Sequence, residues 1–202
     1  MEINNFDLIT NHLHFNSDDD FYFLQIIQRK KDGHNVSNNY RLLKYYLIRS
    51  TEHLDRYKSE IMELCKMFNA RAYIHPTKRS FKEVGKLYTK NVLSTFMEES
   101  YNSLHKKYSS ACGQSYIASD KKFIIDIDYN AEDVINGETF ELWYQGFIWY
   151  LCEECKCKIE YVVPTIKGRH LIVEPFDLKK FSDMNPDIDV HKNNPTLLYY
   201  KK

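Results

Sequence analysis

Two aspartates, Asp126 and Asp128, stand one residue apart inside Phe123-Ile-Ile-Asp-Ile-Asp-Tyr-Asn130, a stretch that otherwise has the composition of a buried β-strand. An unpaired buried carboxylate is costly, so a neutralising group is expected beside them. Strand side chains alternate, which puts Asp126, Asp128 and Ile124 on one face and Phe123, Ile125 and Ile127 on the other. The two acids lie about 7 Å apart along such a strand, close enough to serve one cluster of divalent ions. Oxygen ligands of this kind suit Mg²⁺ or Mn²⁺, completed by water and substrate phosphates. A second strand, Arg169 to Glu174, alternates in the same way. Arg169, Leu171 and Val173 share a face and leave His170 opposite. It follows a Lys167-Gly168 turn, where a phosphate can come close to the backbone. If Leu171 and Val173 join the isoleucines against helices, Asp126, Asp128 and His170 gather on the open face. Asp-x-Asp on the solvated side of an antiparallel sheet needs no metal, and that plainer reading stays beside the first.

The elements that must hold these residues follow from periodicity and punctuation. After a polar opening of a short helix and a loop, strands are expected at Phe21–Gln28, Tyr40–Arg49 and Ala70–Ile74. A helix capped by Ser50 or Thr51 and ending near Asn69 separates the last two. Ser80-Phe-Lys-Glu83 has the capping-box pattern and opens a helix expected to reach Leu104. Tyr108 to Asp120 reads as a polar connector, and the boundary between an N-terminal α/β lobe (1–118) and a second lobe (119–202) is placed there. The second lobe alternates strand 123–129, helix 139–154, strands 159–163 and 169–174, short helix 176–181 and a last strand Thr196–Tyr200. That β-α-β-β-α-β order is the ferredoxin-like arrangement of RNA-recognition modules and many polymerase palms. The fold class expected is α/β in the broad sense, α+β for this lobe.

Composition narrows the function classes. The 202 residues are 43% hydrophobic and 15% aromatic, a globular composition. Lys and Arg number 28 and Asp and Glu 28, so a global basic field is absent and any nucleic-acid site is local. The N-terminal stretch lacks the pattern of a signal peptide and no run is long enough for a membrane span, so a cytoplasmic protein without membrane partners is expected. The five cysteines read as reduced thiols. Cys152, Cys155 and Cys157 lack a second ligand pair at zinc spacing and are expected to be structural.

Ile125-Asp126-Ile127-Asp128, Gly168-Arg169-His170 and an acid within Asp187-Ile188-Asp189-Val190 together resemble the archaeo-eukaryotic primase, or primase-polymerase, superfamily. The motifs cover the second lobe. The first matches only in kind, with Asn69-Ala-Arg71-Ala-Tyr73-Ile74 similar to the family's Arg-bearing strand. The chain also resembles small proteins of phages and their bacterial hosts. The resemblance implies a nucleotidyltransferase that extends a 3′-hydroxyl or primes synthesis, in a bacterial cytoplasm if phage-encoded. It implies Mg²⁺ or Mn²⁺ at Asp126, Asp128 and a third acid, Asp189 or its neighbour Asp187, with His170 on the nucleotide's phosphates. Arg71, Lys78, Arg79, Arg169 and Lys192 are the candidate phosphate-binding cations. Implied partners are nucleoside triphosphates, a single-stranded DNA or RNA template and a replication helicase supplied in trans. One departure is Gly168, where the family usually has Ser.

Two competing readings exist. Lys30-Lys31-Asp32-Gly33 fits the Lys-x-Asp-Gly pattern of nucleic-acid ligases, but ordinary turn chemistry also explains it. Alternatively the lobe binds nucleic acid or nucleotide without catalysis, as a phage accessory or anti-defence protein, stacking bases on Tyr129 and Tyr200.

Overall fold

The computed structural model describes residues 1–128, 134–135 and 138–202, and the side chains of 1–128 and 142–202. In chain order the elements are β1 (Glu2–Asn4), α1 (Phe6–Thr10), β2 (Asp20–Arg29), β3 (Tyr40–Ile48), α2 (Thr51–Met67), β4 (Arg71–Ile74), β5 (Arg79–Ser80), α3 (Phe81–Met97) and α4 (Lys107–Gln114). Then come β6 (Phe123–Asp128), β7 (Val134–Ile135), β8 (Glu138–Thr139), α5 (Phe140–Glu153), β9 (Ile159–Pro164), β10 (Gly168–Val173), α6 (Leu178–Met184), β11 (Asp189–His191) and β12 (Thr196–Lys201). Among the described residues, two main sheets with antiparallel pairings and six helices make this a mixed α and β protein. The chain forms two compact units, Met1–Lys121 with Leu197–Lys202, and Lys122–Thr196.

In the first unit the strands run in the order β1-β12-β4-β2-β3, with β5 paired to the start of β2. α2 starts where the Ser50 hydroxyl accepts the His53 N–H, and α3 where Ser80 accepts the Glu83 N–H. Each cap satisfies a backbone donor that the first helical turn cannot. Phe21 and Phe23 of β2 pack with Val84 of α3 and with Ala111 and Cys112 of α4. α3 stops at Met97, short of Leu104, where Glu99 enters the left-handed region at φ 52°. The expected connector after Tyr108 contains α4, whose Ala111 and Cys112 are buried. Small residues looked like a linker there; they are small because the helix packs closely.

The main sheet of the second unit has, among the described residues, four strands in the order β11-β6-β10-β9, each pair antiparallel. Phe123, Ile125 and Ile127 of β6 and Leu171 and Val173 of β10 form its core. They pack with Tyr144, Phe147 and Leu151 of α5 and Phe181 of α6. The element order β-α-β-β-α-β is present, with the β7–β8 pair inserted after β6. Its fourth strand, however, is β11. The expected last strand, Thr196–Tyr200, is β12, which pairs with β1 in the other sheet. Leu197 to Tyr200 are all buried, and that continuous apolar run fits a strand covered on both faces.

Candidate functional site

β6 places its helix-facing isoleucines in the core, so Asp126 and Asp128 must occupy the opposite face. Antiparallel register decides what stands beside them. Asp126 faces His170 of β10 on one side and Asp189 of β11 on the other. Directly opposed residues share a face, so Asp189, Asp126 and His170 form one row across three adjacent strands. Asp128 lies on the same face, opposite Gly168. The face is not open along its whole length: Ile124 and Ile172 on it are buried, whereas Asp128 is exposed.

A fourth group joins the row. His191, two residues beyond Asp189 on β11, brings its Nε2 to 3.8 Å from Asp126 Oδ2. His170 Nε2 lies 3.3 Å from Asp126 Oδ1. That carboxylate oxygen is buried without a hydrogen-bond partner, so the His170 contact falls outside hydrogen-bond geometry. The other nitrogen of His170, Nδ1, shares a 2.9 Å hydrogen bond with Thr196 Oγ1, which fixes the ring with Nε2 towards the carboxylate. Burial pushes the Asp126 carboxyl up, but the two imidazoles more than offset it and hold it well below the usual carboxylate range. Asp126 in turn raises the His191 imidazole above its ordinary value, against the effect of burial. The half-buried aspartate is therefore flanked by a pair of histidines. Sequence reasoning did not single out His191; the alternation Asp189-x-His191 on a strand beside β6 is the signal that could have found it.

The absence of a side chain at position 168 also has a cause. A Cβ there would sit 1.8 Å from the carbonyl oxygen of Ile127. Only glycine lets β10 approach β6 this closely at the end of the hairpin, where the Thr165 N–H donates to the Gly168 carbonyl at 2.9 Å. A serine would not fit without displacing a strand.

The candidate cations have varied surroundings. Arg169 lies on the helix-facing side, its guanidinium 4.5 Å from the centre of the Tyr144 ring. Lys192 is exposed, one residue past β11. Arg71, Lys78 and Arg79 belong to the first unit. Arg71 makes a two-pronged ion pair with Asp32, its Nε donating to Oδ2 at 2.8 Å, and lies 5.0 Å from the Tyr200 ring centre. Lys78 is buried and reaches Asp20 at 3.3 Å. Arg79 is fully buried and donates to the carbonyls of Cys112 (2.9 Å) and Thr77 (2.7 Å), with His75 Nδ1 at 2.7 Å. Their charges serve internal contacts of the first unit.

Asp32 of the ligase-like tetrapeptide is thus an ion-pair partner, Gly33 supplies a left-handed turn at φ 87°, and Lys30 and Lys31 are exposed. Exposed lysines lack the apolar or charged surroundings that activate a lysine nucleophile. Tyr200 is buried in the first unit's sheet, too covered to stack a base, and Tyr129 lies outside the described residues. Cys155 and Cys157 are in the second unit's core, whereas Cys152 is exposed. Among the described residues no three His, Cys, Asp or Glu side chains form a ready-made metal cage, and no helix is long and apolar enough to cross a membrane.

No protein-family model, curated protein or solved structure matches the chain.

Proposed function

We propose that this sheet face is the nucleotidyl-transfer site of a primase-polymerase-type enzyme, which adds nucleotides to a 3′-hydroxyl or primes synthesis on a single-stranded template. One observation carries the reading: Asp189, Asp126 and His170 stand in a single row across β11, β6 and β10. The resemblance requires that convergence, and the spacing of Asp189 in the sequence did not guarantee it. The strand order β11-β6-β10-β9 supports it further, as the order of a ferredoxin-like palm.

Three carboxylates on one face of the sheet support a divalent ion there. Mg²⁺ is commonly held by one or two carboxylates together with substrate phosphates, so a full protein cage is not required. Asp126, Asp128 and Asp189 would hold it. When bound, such ions polarise the phosphate and stabilise the attacking and leaving oxygens. The chain's own part is to concentrate three carboxylates on one face and to orient His170. Thr196 occupies one nitrogen of that ring and leaves Nε2 on the carboxylate side, towards an incoming triphosphate. In the transfer the 3′-hydroxyl oxygen bonds to the α-phosphorus as the bond to pyrophosphate breaks. The test is labelled-nucleotide incorporation with Mg²⁺ and with Mn²⁺, wild type against an Asp126→Ala/Asp128→Ala double variant. Loss of signal in the variant is expected; equal signal removes the assignment.

A second reading, binding without catalysis, is favoured by the two histidines that already flank Asp126. It requires that wild type bind single-stranded nucleic acid or nucleotide, incorporate nothing, and keep its affinity in the double variant.

A further inference from the structure

α3 is held to the first unit along one side, where Val84 and Thr95 are buried. Its outward side changes character along its length. Lys86 and Lys90 are exposed, and beyond them so are Leu93 (58%), Phe96 (52%) and Met97 (86%), with Tyr101 (53%) just past the helix. The Phe96 and Tyr101 ring centres lie 5.7 Å apart and extend the apolar patch. Side chains one turn apart share a helix face. Leu93 and Met97 therefore form an apolar row, and Lys86, Lys90, Ser94 and Glu98 a polar row beside it, the two lining one shallow hollow. The polar row is basic at one end and acidic at the other, with Ser94 between. We propose that this face is a self-association surface, on which α3 of a second copy of the chain docks antiparallel about a two-fold axis near Ser94.

The charge pattern selects the occupant. A two-fold axis applies one surface to itself, so the surface must be self-complementary. Lys90 precedes Ser94 by about one helical turn and Glu98 follows it by about one. Reversing one helix about Ser94 sets Lys90 of each copy beside Glu98 of the other. The same reversal brings Leu93 of each copy onto Met97 of the other. Parallel docking would put lysine beside lysine. Opposed helix macrodipoles favour the antiparallel sense as well. Lys86 is already paired within the helix to Glu83 at 2.6 Å, and the Ser94 hydroxyl donates to Glu98 Oε1 at 2.6 Å, which orients that carboxylate at the rim. Contiguous apolar side chains left half exposed or more, with charges around them, mark a protein contact. A nucleic-acid strand would gain from the lysines but be repelled by Glu98 and would leave the apolar row uncovered.

The test is sedimentation equilibrium of the full chain over a range of concentrations. Wild type is expected to rise from the mass of a single chain towards twice that mass. Met97→Glu should weaken the dimer about tenfold or more, as loss of a central apolar contact does. Lys90→Glu and Glu98→Lys, each alone, set like charges against one another and should each weaken it about tenfold. Mixed in equal amounts, or carried together in one chain, the two charge changes should restore the affinity to within about threefold of wild type. All three positions are exposed, so the variants should fold, which circular dichroism checks. Wild type that stays monomeric throughout gives this face to another partner and overturns the proposal. A dimer indifferent to Met97→Glu overturns it too, as do charge changes that leave the dimer intact singly or fail to restore it together.

Discussion

Asp126 and Asp189 face one another directly across the β6–β11 pair, on the side of the sheet that also carries His170. Opposed like charges destabilise a strand pair. The two imidazoles beside Asp126 relieve part of that repulsion.

The first prediction separates Asp189 from Asp187. Asp187 is exposed and lies outside β11. Asp189→Asn should lower nucleotide incorporation by about two orders of magnitude, the scale of losing one group that stabilises the transition state. It should also make the protein slightly more stable to urea. Asp187→Asn should change neither. Equal activity losses in the two variants would refute the register argument.

The second concerns two glycines. Gly168→Ala drives a Cβ into the Ile127 carbonyl and should destabilise by about 1–3 kcal/mol or more. A Cβ on Gly85, inside α3, would meet no atom within 4 Å, so Gly85→Ala should stabilise by about 0.5–1 kcal/mol. Urea midpoints at constant slope read both.

Acid sensitivity gives the third. Burial pushes the Asp20 carboxyl up, but the Asn16 N–H at 2.7 Å and the Lys78 ammonium more than offset it, so it lies below its ordinary value of 3.8. A carboxyl depressed on folding adds stability that is present above its unfolded value and is lost as pH falls through the folded one. Wild-type stability should therefore drop as the pH is lowered below about 4, near the unfolded value. Asp20→Asn should be less stable at neutral pH and show a shallower acid drop, measured by urea titration at stepped pH.

Arg79 gives the fourth. Burial lowers its pKa to about 10, and its donors satisfy two buried carbonyls and His75. Arg79→Met removes those donors and leaves their partners unsatisfied at about 1–3 kcal/mol each. The variant should melt far below wild type, whereas Lys192→Ala, on an exposed residue, should melt with it. A normal melting temperature for Arg79→Met, with incorporation lost, would instead give Arg79 a direct role with substrate.

Much of this was legible in the chain itself. Alternation along Phe123–Asp128 and Arg169–Val173 sorted the core face from the acidic face, because successive side chains of a strand point to opposite sides. Ser50 and Ser80 marked their helices through caps, which are local chemistry. The assignment of Leu197–Tyr200 was not legible, since an apolar run says that a strand is buried and not which sheet buries it. His191 stayed hidden for a related reason. Its contact with Asp126 joins residues far apart in sequence, and only strand pairing brings them together. Arg79 looked like a phosphate ligand because charge is visible in a sequence and burial is not.

The placement of β12 has a consequence for how the molecule is made. Among the described residues β1 hydrogen-bonds only to β12 in its sheet order, and β12 separates it from β4. During synthesis the first 121 residues emerge with that position vacant, and it is filled only after all of Lys122–Thr196 has been translated. The unit begun first is thus the last to be completed, and a ribosome paused within β9 or β10 would display an unzipped sheet edge to every chaperone and protease nearby.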